Sequence, residues 1–171
     1  MTLDLSAFDV AQDQKSNPLT ENGMHRAIEA AFNGLGVYVD FTPVWVSSGT
    51  APALGNATLT GRYAQIGKQV HCYGRIVFGS TSTFGSGTYK FGLPVLAAAN
   101  AVNSRVGGPV ELFDTSASAT GLGRAQITDN NRFAANYGAT YLGTLTAIGP
   151  AAPWTWATGD IVAWNLTYEA A

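Results

Sequence analysis

The sequence predicts a mainly β fold: a jelly-roll-like β-sandwich preceded by an extended N-terminal arm and one short amphipathic helix. Three observations carry this reading. From Val37 onward apolar residues recur at a period of two, the mark of half-buried strands. Clusters of Gly, Asn, Pro and Ser punctuate those runs, as at Gly55-Asn56, Ile66-Gly67, Gly107-Gly108-Pro109 and Gly149-Pro150. Only one segment shows the spacing of an apolar helix face.

The arm comes first. Leu3, Leu5, Phe8 and Val10 are separated by polar and acidic residues within 1–16, a segment too short to bury itself. It is expected to be disordered alone or to lie on a neighbouring subunit. The helix follows. Met24, Ala27, Ile28, Ala31, Phe32 and Leu35 repeat at three- and four-residue spacing. Asn17 followed by Pro18 suits its start, with Thr20 as a second candidate cap, and Asn33, Gly34 and Gly36 supply its end.

Strands are then predicted over 37–41, 58–65, 68–78, 88–91, 110–113, 122–128, 132–137, 141–146 and 160–168. No helix falls between them, so the sheet should be antiparallel, and about eight or nine short strands suit a jelly roll. Within 68–78, Val70, Cys72, Ile76 and Phe78 share one face, which should be the core. Gly55 and Gly67 fall where tight turns need freedom in φ. The stretch 79–87 reads as a flexible polar loop with Phe84 in its middle, and 96–101 is Ala-rich without a helical pattern. The chain therefore divides into an arm and helix, 1–36, for anchoring or oligomerisation, and a β-sandwich domain, 37–171.

Composition bounds the function. The 171 residues are 46% hydrophobic and only 12% charged, against roughly 25% charged in typical soluble domains. A surface with so few charges has little to prevent self-association, which points to a homo-oligomer. Net charge is -2, and the nine Lys and Arg residues are scattered, so no footprint for nucleic acid or an anionic membrane is present. No apolar run is long enough for a spanning helix. The start lacks the basic and apolar regions of a signal peptide, so the protein is expected to begin near Met1 and to fold in a cytoplasm.

Chemistry is sparse. Cys72 is the single cysteine and reads as a small buried hydrophobe. The two histidines are His25 on the helix and His71 on a strand. His71 and Cys72 are adjacent, so they face opposite ways and cannot chelate one ion. Among the carboxylates, Asp129 and Asp160 occupy turns, and Glu111 and Asp114, three apart, cannot share a strand face. No acid–base pair emerges, so no enzyme, no metal and no cofactor are expected. The aromatics Trp154, Trp156, Tyr137 and Tyr141 admit two readings: closure of the core or a subunit contact, and a platform for a host-surface glycan.

Several motifs carry a resemblance. They are Thr42-Pro43 before Trp45; Leu54-Gly55-Asn56; Gly61-Arg62-Tyr63, then Ile66-Gly67-Lys68; the 79–87 loop; Phe91-Gly92-Leu93-Pro94-Val95; and Trp156-Ala157-Thr158-Gly159-Asp160 with the closing strand. The region 41–171 resembles the β-rich modules of tailed-phage virion surface proteins: head decoration, minor tail or tail-fibre proteins of actinobacteriophage type. The likeness is weakest over 96–153, and the arm and helix lie outside it. It implies a fold and a particle, and it transfers no catalytic residue.

What the resemblance implies is a non-enzymatic virion structural protein, made in the host bacterial cytoplasm and placed on the virion surface. The first expectation is a capsid (head) decoration protein. It would act as a homotrimer, since modules of this kind are commonly three-fold, with the major capsid protein as partner. Leu3, Leu5, Phe8, Ile28, Phe32 and Leu35 would make the anchoring or oligomer contacts. The chain is short and holds no fibre shaft. The alternative is a minor tail or tail-fibre module that partners tail proteins and binds a host-surface glycan.

Overall fold

The computed structural model describes residues 18–102, 107–138 and 145–171. Leu3, Leu5, Phe8, Asn17, Tyr141 and most of the strand expected over 141–146 lie outside them. The chain forms two compact units, Met1–Val37 and Tyr38–Ala171.

In the first unit, helix α1 runs Pro18–Gly34. It starts at the proline that needs no amide partner. The turn that ends it closes with Leu35 N–H donating to the Phe32 carbonyl and with Gly36 at φ 73°, the left-handed conformation glycine adopts freely.

The second unit is one antiparallel sheet of ten strands: β1 Val39–Phe41, β2 Trp45–Ser47, β3 Thr58–Ile66, β4 Gln69–Val77, β5 Tyr89–Gly92, β6 Gly108–Asp114, β7 Ala119–Asp129, β8 Arg132–Tyr137, β9 Thr146–Ala147 and β10 Ile161–Glu169. Their spatial order is β1-β3-β4-β10-β6-β7-β8-β5-β2, with β9 beside β8. Among the described residues the fold is mainly β with one α-helix, as expected. The two opposed faces of the expected sandwich are two halves of this single curled sheet.

The curl follows from connectivity. Strands β1 and β2 lie at opposite ends of the order, yet only Thr42, Pro43 and Val44 join them. Four Cα–Cα steps of 3.8 Å span at most about 15 Å. The edges must therefore approach, and the sheet rolls into a half-barrel around one core. Both edges are only three residues long, which leaves little unpaired backbone for another chain to extend.

The core is aromatic. Phe78 packs on Trp45, Phe84 and Trp156, with ring centroids 5.3, 5.1 and 5.2 Å apart. Trp164 of β10 stacks on Phe91 and Phe133 at 4.8 and 5.4 Å. Val70, Cys72, Ile76 and Phe78 are all buried, so the predicted core face is the observed one. The β3–β4 hairpin turns on Gly67 at φ 58°, in a two-residue loop that pairs Ile66 with Gln69.

Three segments differ from expectation. Strand β2 carries too few residues for a period of two to be read. The Ala-rich stretch forms a 3-10 turn, Ala99–Ala101. The loop expected to be flexible is tied down: Ala53 and Thr83 exchange backbone hydrogen bonds, and Asn56 Oδ1 accepts from Thr81 N–H at 2.9 Å. Its Phe84 is drawn into the core. The turn residue Asp160 is 1% exposed, its carboxylate accepting the Thr115 and Ala157 backbone N–H groups at 2.9 Å each. It clamps the β6–β7 turn to the entry of β10. Asp160→Ala should cost about 3 kcal/mol, because two amides lose a charged acceptor. Asp160→Asn should cost less, and urea melts of the two variants test this ordering.

Burial also sets a pH limit. Burial pushes the Cys72 thiol up to about 12 and holds the Tyr89 and Tyr168 hydroxyls above the usual tyrosine range. In the unfolded chain these groups ionise at lower pH than in the fold, so the unfolded state binds fewer protons in that window. Stability is complete below about pH 8.5, the ordinary thiol value, and falls as pH rises from there. Urea midpoints should be lower at about pH 10.5 than at about pH 7. Equal midpoints would contradict the assignment.

Candidate functional site

The outer face of the half-barrel holds the polar chemistry. Strand alternation turns Leu59, Cys72, Ile76, Val110, Val162 and Trp164 inward and their neighbours outward. Register then aligns the outward residues in rows. One row crosses five strands: Thr60 pairs with Arg75, Arg75 with Ala163, Ala163 with Glu111, and Glu111 with Leu122. A second row runs Asp40, Arg62, Tyr73 and Asn165. These two rows line a cavity of about 1030 Å³.

Its side chains are held by neighbours. Arg62 Nε donates to Asp40 Oδ1 at 2.6 Å and Arg62 Nη2 to the Tyr38 carbonyl at 3.3 Å. Hydrogen bonding to Tyr73 and then to Asp40 raises the guanidinium pKa further and keeps the group charged. Beside the cavity, Tyr38 Oη lies 2.6 Å from His71 Nδ1, and His71 Nε2 lies 2.7 Å from Asn165 Oδ1. Asn165 Oδ1 can only accept, so His71 carries its proton on Nε2, and Tyr38 donates to Nδ1. The Tyr38 and Tyr73 rings sit 5.4 Å apart.

The carboxylates have separate tasks. Asp114 accepts from Ser116 Oγ at 2.7 Å and from the Ser116 and Ala117 backbone N–H groups, which lowers its pKa. Asp129 faces Lys90 and Arg132, and Glu169 accepts from Asn100 Nδ2 at 3.0 Å. Asp114 and Glu111 belong to different clusters. Among the described residues, no three His, Cys, Asp or Glu side chains gather as metal ligands, and no helix is long and apolar enough to cross a membrane.

Comparison of the chain with known protein families, with curated proteins and with solved structures finds no match.

The structure separates the residues singled out from sequence. Trp156 is 3% exposed and donates through Nε1 to the Gly149 carbonyl at 2.8 Å. Its ring lies in the core beside Phe78, so it offers no face to a sugar, and the glycan reading of this residue is corrected. Trp154 is half-buried against Trp156, with ring centroids 5.3 Å apart, and half-buried Tyr137 packs against the core from β8. Ile28 and Phe32 on α1, and Leu35 just beyond it, are exposed together with Met24. The outer-face rows escaped sequence reasoning. Their members come from six strands, and the only local signal is a polar residue at alternate strand positions.

Proposed function

We propose that this protein is a non-enzymatic structural component of a tailed-phage virion, a capsid decoration protein that binds the capsid surface as a homotrimer through residues 1–36. The observation that carries the proposal is the apolar side of α1. Met24, Ile28, Phe32 and Leu35 follow one another at helical spacing and are exposed, Phe32 by 56%. Such a stripe is worth covering: burying three of these side chains is on the order of 5 kcal/mol before entropy is subtracted, and three linked copies multiply the effect. Low charge and the resemblance of 41–171 to virion surface modules support the same reading.

Light scattering and particle binding test it. The native chain should have a trimer's mass at micromolar concentration and should bind capsids that lack it. Ile28→Asp with Phe32→Asp should lose both properties while keeping the β signature in circular dichroism. A stable native monomer, or full binding by the double variant, would overturn the proposal. A second reading, a minor tail or tail-fibre module that binds a host-surface glycan, draws its support from the outer-face cavity.

A further inference from the structure

We infer that the outer-face cavity over β4, β10 and β6 is a binding site for a neutral saccharide, with Tyr73 as platform and Arg75, Glu111 and Asn165 as its polar contacts. This goes beyond the attachment role and does not rest on it.

The floor is small and the walls are tall. Ala163 lies between Arg75 on β4 and Glu111 on β6, its direct cross-strand partners. Neighbouring strands are about 4.8 Å apart, so the backbones of Arg75 and Glu111 stand about 10 Å apart with only a methyl group between them. Among the described residues neither Arg75 nor Glu111 forms an ion pair. A gap of this width, with donors on one side and an acceptor on the other, fits a ring bearing hydroxyl groups: one hydroxyl donates to Glu111 and another accepts from Arg75.

Charge balance selects a neutral ligand. The cavity holds two cations, Arg62 and Arg75, and two anions, Asp40 and Glu111. Arg62 and Asp40 already satisfy each other. An anionic ligand would meet Glu111 unpaired, and a cationic one would meet Arg75. Exposed Tyr73 supplies an aromatic surface for the apolar face of a sugar. The volume of about 1030 Å³ exceeds one ring and suits a short oligosaccharide.

Asn165 is preorganised. The chain Tyr38 to His71 to Asn165 fixes the amide, with Oδ1 engaged by His71 and the Nδ2 donors without a partner among the described residues. Tyr38 and His71 are positioning residues: they act through Asn165.

The test is titration of the full chain, followed by amide NMR, with neutral pentasaccharides of glucan, mannan, galactan and arabinan type and with a uronic-acid pentasaccharide. At least one neutral probe should give saturable shifts at Tyr73, Ala163 and Asn165, with a Kd on the order of 0.1–1 mM. Glu111→Gln and Arg75→Ala, both at exposed positions, should each weaken it about tenfold. His71→Phe should weaken it about threefold and move the Asn165 side-chain amide signals in the free protein. No response from any neutral probe at about 10 mM would sink the inference. So would tighter binding of the acidic probe, or shifts of these amides with protein concentration alone, which would make the face a contact between copies of the chain.

Discussion

Ile76→Asp should yield no folded protein. Ile76 is fully buried near the C-terminal end of β4, between β3 and β10, where Leu59 and Val162 are its cross-strand partners. Both partners are buried and apolar, so a carboxylate there meets no donor beyond the backbone ladder already formed. Burying an unpaired charge costs far more than a missing methyl group, and the loss would match or exceed a typical total stability of about 5–15 kcal/mol. The expected result is insoluble or protease-sensitive protein without a cooperative melt. Ile76→Val, which keeps the face apolar, should melt cooperatively with a loss of about 1 kcal/mol. Soluble, cooperatively melting Ile76→Asp protein would mean the strand faces have been assigned backwards.

Trp164→Ala should cost about 4 kcal/mol. Trp164 is 4% exposed on β10, the strand that joins the β3–β4 hairpin to the β6–β7–β8 meander. Its ring stacks on Phe91 and Phe133 and covers Gly74, where a Cβ would stand 2.6 Å from the indole. The glycine makes room for the ring, so truncation leaves a void that neighbours on paired strands cannot close. Trp164→Phe is the informative control. The indole Nε1–H is buried and finds no acceptor among the described residues, so replacement by phenyl sacrifices area but no hydrogen bond. It should cost clearly less than half as much, as read from denaturant midpoints at unchanged slope. A loss with Phe equal to that with Ala would show that the indole N–H, and not ring packing, holds this position.

The contrast between Ile76 and Trp156 shows where sequence reasoning stops. The burial of Ile76 is legible in the sequence because Val70, Cys72 and Phe78 continue one alternating face with it. Trp156 sits outside any strand, in a segment whose course depends on contacts with Phe78 and Gly149. No period describes it, so only its tertiary contacts fix its burial. Asp160 is similar. A turn Asp is ordinarily exposed, and only the arrival of the β6–β7 turn at Thr115 encloses it.

The features legible in the residues alone are local: the helix from its three- and four-residue spacing, most strands from alternation, the Gly67 turn, and the buried face of β4. Each follows from side-chain direction along a few residues, which the period of the backbone dictates. How those strands pair and how the sheet curls depend on contacts between distant segments. The three residues between β1 and β2 bring its opposite ends together, and register places Arg75, Ala163 and Glu111 side by side although they lie far apart in the chain. Pairing of distant strands depends on the fit of whole faces around a shared core, and no short stretch of sequence contains that information.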